Sequence, residues 1–424
     1  MLKLQAIPFV PGLARGIVHN GIAGASGDSI VVATTDQIRA LEFLVKGAII
    51  IDGAPFSHPM IRLLSLGVPT VIILPEQVGR LSSGLEVIVD GASGLITNVP
   101  PEGEMRARPE VPPPPHVGTP VTTADAVEVE LRASVSDLAG VSNAIRCGAT
   151  SIGLLRSEYL QPPEGHQPDA AFYEEALSAI CEAAHPLRFN VRLPDFTGNK
   201  RPPWLPAIPG MENPLGLRGV RLYDIEPVRS VIRAEVEVLG KLASRHDLSL
   251  LLPYIGQPQE FIYWRNQIES FLPVPMAVGV MVETPAATLA IREWLELTDL
   301  VAIGCNDLMQ CLFAVDRNLS RLSHLLDPYA PALFRLFQRI AEDAGDAVGN
   351  LQLCGLLPRL PGVLPVLLGL GYRTFSVEPV LIPFLARTVQ DTDTRVAEGL
   401  ATGVCTAFDG SSVRALLGLP TISV

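Results

Sequence analysis

The chain has 424 residues, is 48% hydrophobic and 18% charged, and carries a formal charge of −12. That length exceeds one ordinary core and predicts two domains, while the apolar content excludes global disorder. The acidic balance argues against nucleic acid as a partner, because a phosphate backbone needs a basic footprint; any anionic ligand must be held by a local cluster of arginines.

The N-terminus MLKLQAIPFVPG has no long apolar run and reads as a first strand. No stretch is long enough to span a bilayer, so no membrane association is expected. The six cysteines (Cys147, Cys181, Cys305, Cys311, Cys354, Cys405) form no CxxC pair, which fits a reducing, cytoplasmic compartment.

Along residues 1–99, short β-branched runs at 29–33, 48–51, 70–74 and 86–89 alternate with helical patterns at 36–45 and 58–66. This predicts a small α/β domain. Within it, Ser57 reads as a helix N-cap, with His58 and Pro59 in the first turn and Met60, Ile61, Leu63 and Leu64 on an apolar face that Gly67 ends. A histidine there faces free backbone N–H groups and the positive helix end, which suits a phosphoryl group on its ring. A histidine that merely caps the helix fits the same residues. Residues 100–120, PPEGEMRARPEVPPPPHVGTP, have no hydrophobic period and predict a semi-rigid, Pro-rich linker.

Residues 121–424 repeat a strand and a helix. Apolar runs fall at 127–133, 150–155, 189–193, 248–253, 277–282, 300–303, 351–354 and 373–377. Eight strands in this length fit a (β/α)8 barrel, with an open doubly wound sheet as the alternative. Polar residues stand at or just past the strand ends: Arg156 and Glu158, Arg192 and Asp195, Glu283, Asn306 and Asp307, and Cys354. In a barrel those ends share one face, where activity is built. Glu283 and Asp307 offer hard oxygen ligands for Mg²⁺ on successive strands; two solvated carboxylates is the plainer reading. Arg156, Arg192, Arg218, Arg221 and Arg317 fall in or near the same loops, and guanidinium forks grip phosphate or carboxylate. Cys354, between Leu353 and Gly355, reads by residue type alone as a buried small hydrophobe.

Together these segments resemble the PEP-utilising enzyme family (PEP synthase, pyruvate phosphate dikinase, and Enzyme I of the sugar phosphotransferase system; PEP is phosphoenolpyruvate). IPFVPGLARGIV and LSSGLEVIVDGASGLI resemble the opening and closing of its swivelling phosphohistidine domain. GAPFSHPMIRLLSLGVPTVI is similar to the histidine loop, usually GGxTSHAAIxARxxGIPAV. GLLRSEYL, ENPLGLRGVRL, VGVMVETPAA, IGCNDLMQCLFAVDRN, HLLDPYAPAL and LCGLLPRLPGVLPVLLGLGYRTFSVEP follow the barrel motifs in order.

The resemblance implies a Mg-dependent phosphotransferase that moves a phosphoryl group between PEP or pyruvate and His58, with Mn²⁺ as the alternative ion. By the same resemblance Arg156, Arg192 and Arg218 bind the phosphoryl group, and Glu283 and Asp307 bind the metal. Asn306 and Arg317 hold the substrate around its carboxylate, and Cys354 protonates C3 of enolpyruvate. The sequence contains neither an ATP-grasp segment ahead of the swivelling domain nor, between Val18 and Ile30, the helical insertion of Enzyme I. The expected partner is therefore a separate nucleotide-binding subunit or another phosphoryl acceptor in trans, with a homodimer formed through the barrel. Other readings are a barrel that acts alone on PEP, pyruvate or a related oxo-acid, and a catalytically weak PEP sensor. The chain departs from the family at Phe56 (usually Thr), Pro59 (Ala), Cys305 (Thr) and Leu356 (Glu).

Overall fold

The structure, a computed structural model, describes residues 2–38, 45–98 and 112–420. Backbone contacts divide the chain into two compact units. One comprises Met1–Pro113 with Val315–Leu326, the other Pro114–Ala314 with Asp327–Val424. The first change of unit falls inside the run of four prolines. Most of the expected spacer, residues 100–111, lies outside the described residues.

The first unit is built on one eight-stranded mixed sheet. Its strands are β1 (Lys3–Gln5), β2 (Ile7–Val10), β3 (Leu13–Asn20), β4 (Ser29–Thr34), β5 (Gly47–Ile51), β6 (Thr70–Ile73), β7 (Glu86–Asp90) and β8 (Leu95–Thr97), in the order β1-β8-β7-β3-β4-β5-β6-β2. β3, β4, β5 and β6 run parallel, and β4 and β6 are buried on both faces, as their unbroken apolar sequences require. β7 and β8 form the expected closing hairpin. Residues 21–28 alone join β3 to β4, so no domain is inserted there. Helix α1 (Thr35–Ile38) begins where the sequence places a longer helix, of which residues 39–44 lie outside the described residues. Helix α2 (His58–Ser65) lays Met60, Leu63 and Leu64 against the sheet side and leaves Arg62 toward solvent.

In the second unit a short strand β9 (Val121–Thr122) pairs antiparallel with β10 (Glu128–Val135). Then follow α3 (Leu138–Arg146), β11 (Ile152–Arg156), α4 (Ala170–Ala184), β12 (Phe189–Arg192), α5 (Val228–Leu242), β13 (Leu248–Ile255) and α6 (Pro258–Glu269). The alternation continues with β14 (Ala277–Val282), α7 (Pro285–Thr288), α8 (Ile291–Leu297), β15 (Val301–Gly304), α9 (Cys305–Phe313) and α10 (Pro331–Ala344). It ends with β16 (Gln352–Cys354), α11 (Val363–Gly369), β17 (Thr374–Val377), α12 (Ile382–Gln390), α13 (Thr394–Thr406) and α14 (Gly410–Leu416). β10 through β17 are all parallel, and β17 returns to β10, which closes an eight-stranded barrel and rules out the open sheet.

The helices start where aspartates permit it: Asp137 accepts from Gly140 N at 2.7 Å and Asp169 from Phe172 N at 2.9 Å. Inside the barrel, Leu154, Leu251, Met281, Ala302 and Cys354 pack as one apolar layer. Among the described residues no helix is long and apolar enough to cross a membrane.

Candidate functional site

In the barrel unit, strand ends deliver the polar side chains. Arg156 and Arg192 are the last residues of β11 and β12, Cys354 the last of β16. Glu283 follows β14, Asp307 sits in the first turn of α9 after β15, and Glu378 follows β17. A carboxylate in a first helical turn is favoured by the macrodipole.

These groups are buried and tied together. Arg192 pairs with Glu158, and Lys200 Nζ lies 3.1 Å from both Glu158 and Asp195. Arg218 Nη2 donates to Asp195 at 2.7 Å while its Nη1 donates to Asp307 at 2.9 Å. Arg156 Nη2 donates to Glu378 at 2.5 Å. Burial alone would raise Asp195, but Arg218, Lys200 and Arg192 outweigh it and hold the carboxyl well below its ordinary range. The same carboxylates keep Arg192 and Lys200 firmly charged despite burial.

Two buried cations (Arg192, Arg218) and two largely buried ones (Arg156, Lys200) thus face five buried carboxylates (Glu158, Asp195, Asp307, Glu378, Glu283). Glu283 makes no ion pair among the described residues. It accepts only the Tyr254 backbone N–H, at 3.2 Å, and burial together with the nearby Asp307 pushes it up to about 7. Space for it exists because residue 304 is glycine: a Cβ there would stand 2.6 Å from Glu283 Cγ. A buried, under-compensated carboxylate beside a second one is a donor set that fits a hard divalent cation. No cluster of three or more His, Cys, Asp or Glu residues suited to a metal occurs among the described residues, so such an ion would take its remaining ligands elsewhere.

One donor is left over. Arg192 Nε is buried and has no hydrogen-bond partner among the described residues. Tyr254, in left-handed backbone conformation (φ 58°), places its ring 4.1 Å below the Arg218 guanidinium. Cys354 is buried, accepts from Gln352 Nε2 at 3.1 Å, and burial pushes its thiol up to about 11, so it is protonated at neutral pH. Asn306 Oδ1 accepts the Leu356 backbone N–H at 3.1 Å.

In the other unit, His58 opens α2. Ser57 is the N-cap residue as expected, yet its buried hydroxyl has no hydrogen-bond partner among the described residues. Pro59 lacks an N–H, so of the two amides a capping oxygen can take only that of Met60 remains. Arg317, which the sequence groups with the barrel arginines, lies in the segment Val315–Leu326, in the same unit as His58. Its Nη1 donates to the Phe56 carbonyl at 2.8 Å, and its Nη2 stands 3.0 Å from His58 Nε2. Thus Arg156, Arg192, Arg218, Glu283, Asp307, Asn306 and Cys354 gather at one end of the barrel, whereas Arg317 and His58 meet in the first unit.

Sequence reasoning missed Lys200, Glu378 and Tyr254. Glu378 follows its strand as the others do and could have been found by the same rule. Lys200 sits in a loop with no such marker, and the backbone twist at Tyr254 leaves no trace in residue type.

Residues 116–394 match the family model described as PEP-utilising enzyme, PEP-binding domain, and residues 27–94 that of the PEP-utilising enzyme, mobile domain. A phosphoenolpyruvate-protein phosphotransferase of Haloferax volcanii is 31% identical over 388 residues, covering 88% of this chain and 68% of that protein. The enzyme of the same name from Geobacillus stearothermophilus is 31% identical over 360 residues, 80% of this chain and 61% of its own length. A multiphosphoryl transfer protein of Rhodobacter capsulatus is 30% identical over 362 residues, and the chain spans 43% of it. With a mobile domain and a PEP-binding barrel both matched, the chain belongs to the PEP-utilising enzyme family.

Proposed function

We propose that this chain is a PEP-dependent phosphotransferase that moves a phosphoryl group between PEP or pyruvate, bound in the barrel, and His58. The observation that carries the reading is the buried Arg192, whose Nε lacks a partner among the described residues in a site where Arg156, Lys200 and Arg218 are already fixed. An oxyanion is the natural occupant for that donor, and phosphoryl transfer needs charge neutralisation and positioning more than covalent help.

Glu283 and Asp307 would hold Mg²⁺ (or Mn²⁺), which when bound neutralises charge on the phosphoryl and enolate oxygens. Arg192, Arg218 and Arg156 orient the anion, and the pairs with Glu158, Asp195 and Glu378 keep each fork in place without further reorganisation. Cys354, protonated and at the end of β16, supplies the proton to C3 when enolate becomes pyruvate. The relatives' names describe transfer to a protein, which supports an acceptor in trans; a separate nucleotide-binding subunit is the other candidate. A homodimer and a cytoplasmic setting complete the proposal.

The test is incubation with PEP and Mg²⁺, followed by intact-mass measurement at neutral pH. One acid-labile phosphate should appear and be absent from His58→Ala. PEP binding without any added phosphate would leave the barrel as the acting part and His58 idle.

A further inference from the structure

The residues around His58 allow its ring protonation to be worked out. Asn318 Oδ1 lies 3.0 Å from His58 Nδ1 and accepts the His58 backbone N–H at 3.4 Å. The carboxamide cannot be turned the other way, since its Nδ2 donates to Asp316 Oδ1 at 3.0 Å and the backbone N–H of His58 needs an oxygen. Asp316 also accepts the Asn318 backbone N–H at 2.9 Å, which fixes the residue from both ends. The oxygen facing Nδ1 can only accept, so Nδ1 carries the proton. On the other side of the ring, Arg317 Nη2 is donor-only and stands 3.0 Å from Nε2, which must present its lone pair.

We infer that Asn318 is the positioning residue that holds His58 as the Nδ1–H tautomer and so leaves Nε2 as the nucleophile. The inference rests on the phosphotransfer reading proposed above. The resemblance to the family's histidine loop implies threonine at position 56; the Phe56 side chain offers no hydroxyl, and an amide 260 residues away in the chain reaches the ring.

The chemistry balances. The P–O bond of PEP breaks as the Nε2–P bond forms, the electron pair leaves with enolate, and no proton has to depart from Nε2. The Nδ1 proton stays on the ring, which becomes a phospho-imidazolium, and Asn318 continues to accept it. Retaining that proton keeps imidazole a good leaving group for the onward transfer. Arg317, already aimed at Nε2, meets the incoming phosphoryl oxygens.

The experiment uses the full chain labelled with ¹⁵N-histidine, with NMR of the ring nitrogens and, separately, the rate of phosphate incorporation from PEP and Mg²⁺. In the wild type, His58 Nδ1 should resonate as a protonated nitrogen and Nε2 as an unprotonated one. In Asn318→Ala both signals should move toward mixed-tautomer values, and phosphorylation should slow on the order of 10²-fold. Asp316→Ala touches neither ring nitrogen, yet should move the same signals in the same direction by freeing the carboxamide. Unchanged ring shifts in Asn318→Ala overturn the inference, whether or not the rate falls. A wild-type protein that takes no phosphate overturns the phosphotransfer reading alone, because the ring shifts still decide the role of Asn318.

Discussion

Arg218 Nη1 meets Asp307 Oδ1 at 2.9 Å, so a side chain suited to the phosphoryl group and one suited to the cation neutralise each other. Asp307 is one of the two carboxylates proposed for the ion. The charges compensate one another in a preformed network, which explains why so many can stay buried without ligand.

Asp195 should be structural as much as functional. It accepts from Arg218 and Lys200 and is fully buried, so Asp195→Ala leaves two buried cations short of a partner. We expect a loss of about 3–5 kcal/mol in stability, read by urea denaturation, alongside weaker PEP binding. An unchanged unfolding midpoint would contradict the network.

Glu283→Gln should behave in the opposite way. It removes the carboxylate that burial and Asp307 disfavour, so thermal stability should hold or rise at neutral pH. Mg²⁺-dependent binding of oxalate, a mimic of enolpyruvate, should be lost when followed by calorimetry. Oxalate binding that is retained, or that never needed the metal, removes Glu283 as a ligand.

Cys354→Ala separates the two halves of the reaction. Phosphorylation of His58 by PEP should persist, because P–O cleavage precedes protonation of carbon. Exchange of the pyruvate methyl protons in D₂O should fall by roughly 10²–10⁴. Equal exchange in both proteins, well above background, would return Cys354 to a packing role in the apolar layer.

Glu235, on α5, is fully buried beside the Ser157 and Tyr173 hydroxyls and, among the described residues, faces no cation that offsets its burial. Burial pushes it up from 4.5 to about 8. The unfolded chain ionises this group at ordinary acidity while the folded one keeps the proton. Its contribution is therefore present below about pH 4.5, fades as pH rises, and is gone above about pH 8. Glu235→Gln should flatten that decline, so that urea midpoints at about pH 5 and about pH 9 differ less than in the wild type. An identical pH dependence in both proteins would show that Glu235 is ionised in the fold.

The barrel strands were legible because their signal is local. Apolar runs such as LSLLLPYI and the polar residues that follow them are set by neighbours in the chain, and a parallel strand buried on both faces admits little else. The same rule located Arg156, Arg192, Glu283, Asp307 and Cys354, and would have located Glu378.

The sequence by itself thus determined the eight-strand repeat, the Pro-rich interruption and which strand ends bear charge. Only the tertiary structure decided how those charges pair. Arg156 meets Glu378 across 222 residues because β17 closes on β10, and no local pattern encodes the partner of a side chain across a barrel seam. The grouping of Val315–Leu326 with the first unit was equally hidden, since that segment lies between barrel helices in the chain. By the family resemblance Phe56 marks a lost hydroxyl; the carboxamide of Asn318, fixed by Asp316, comes to the ring only through folding.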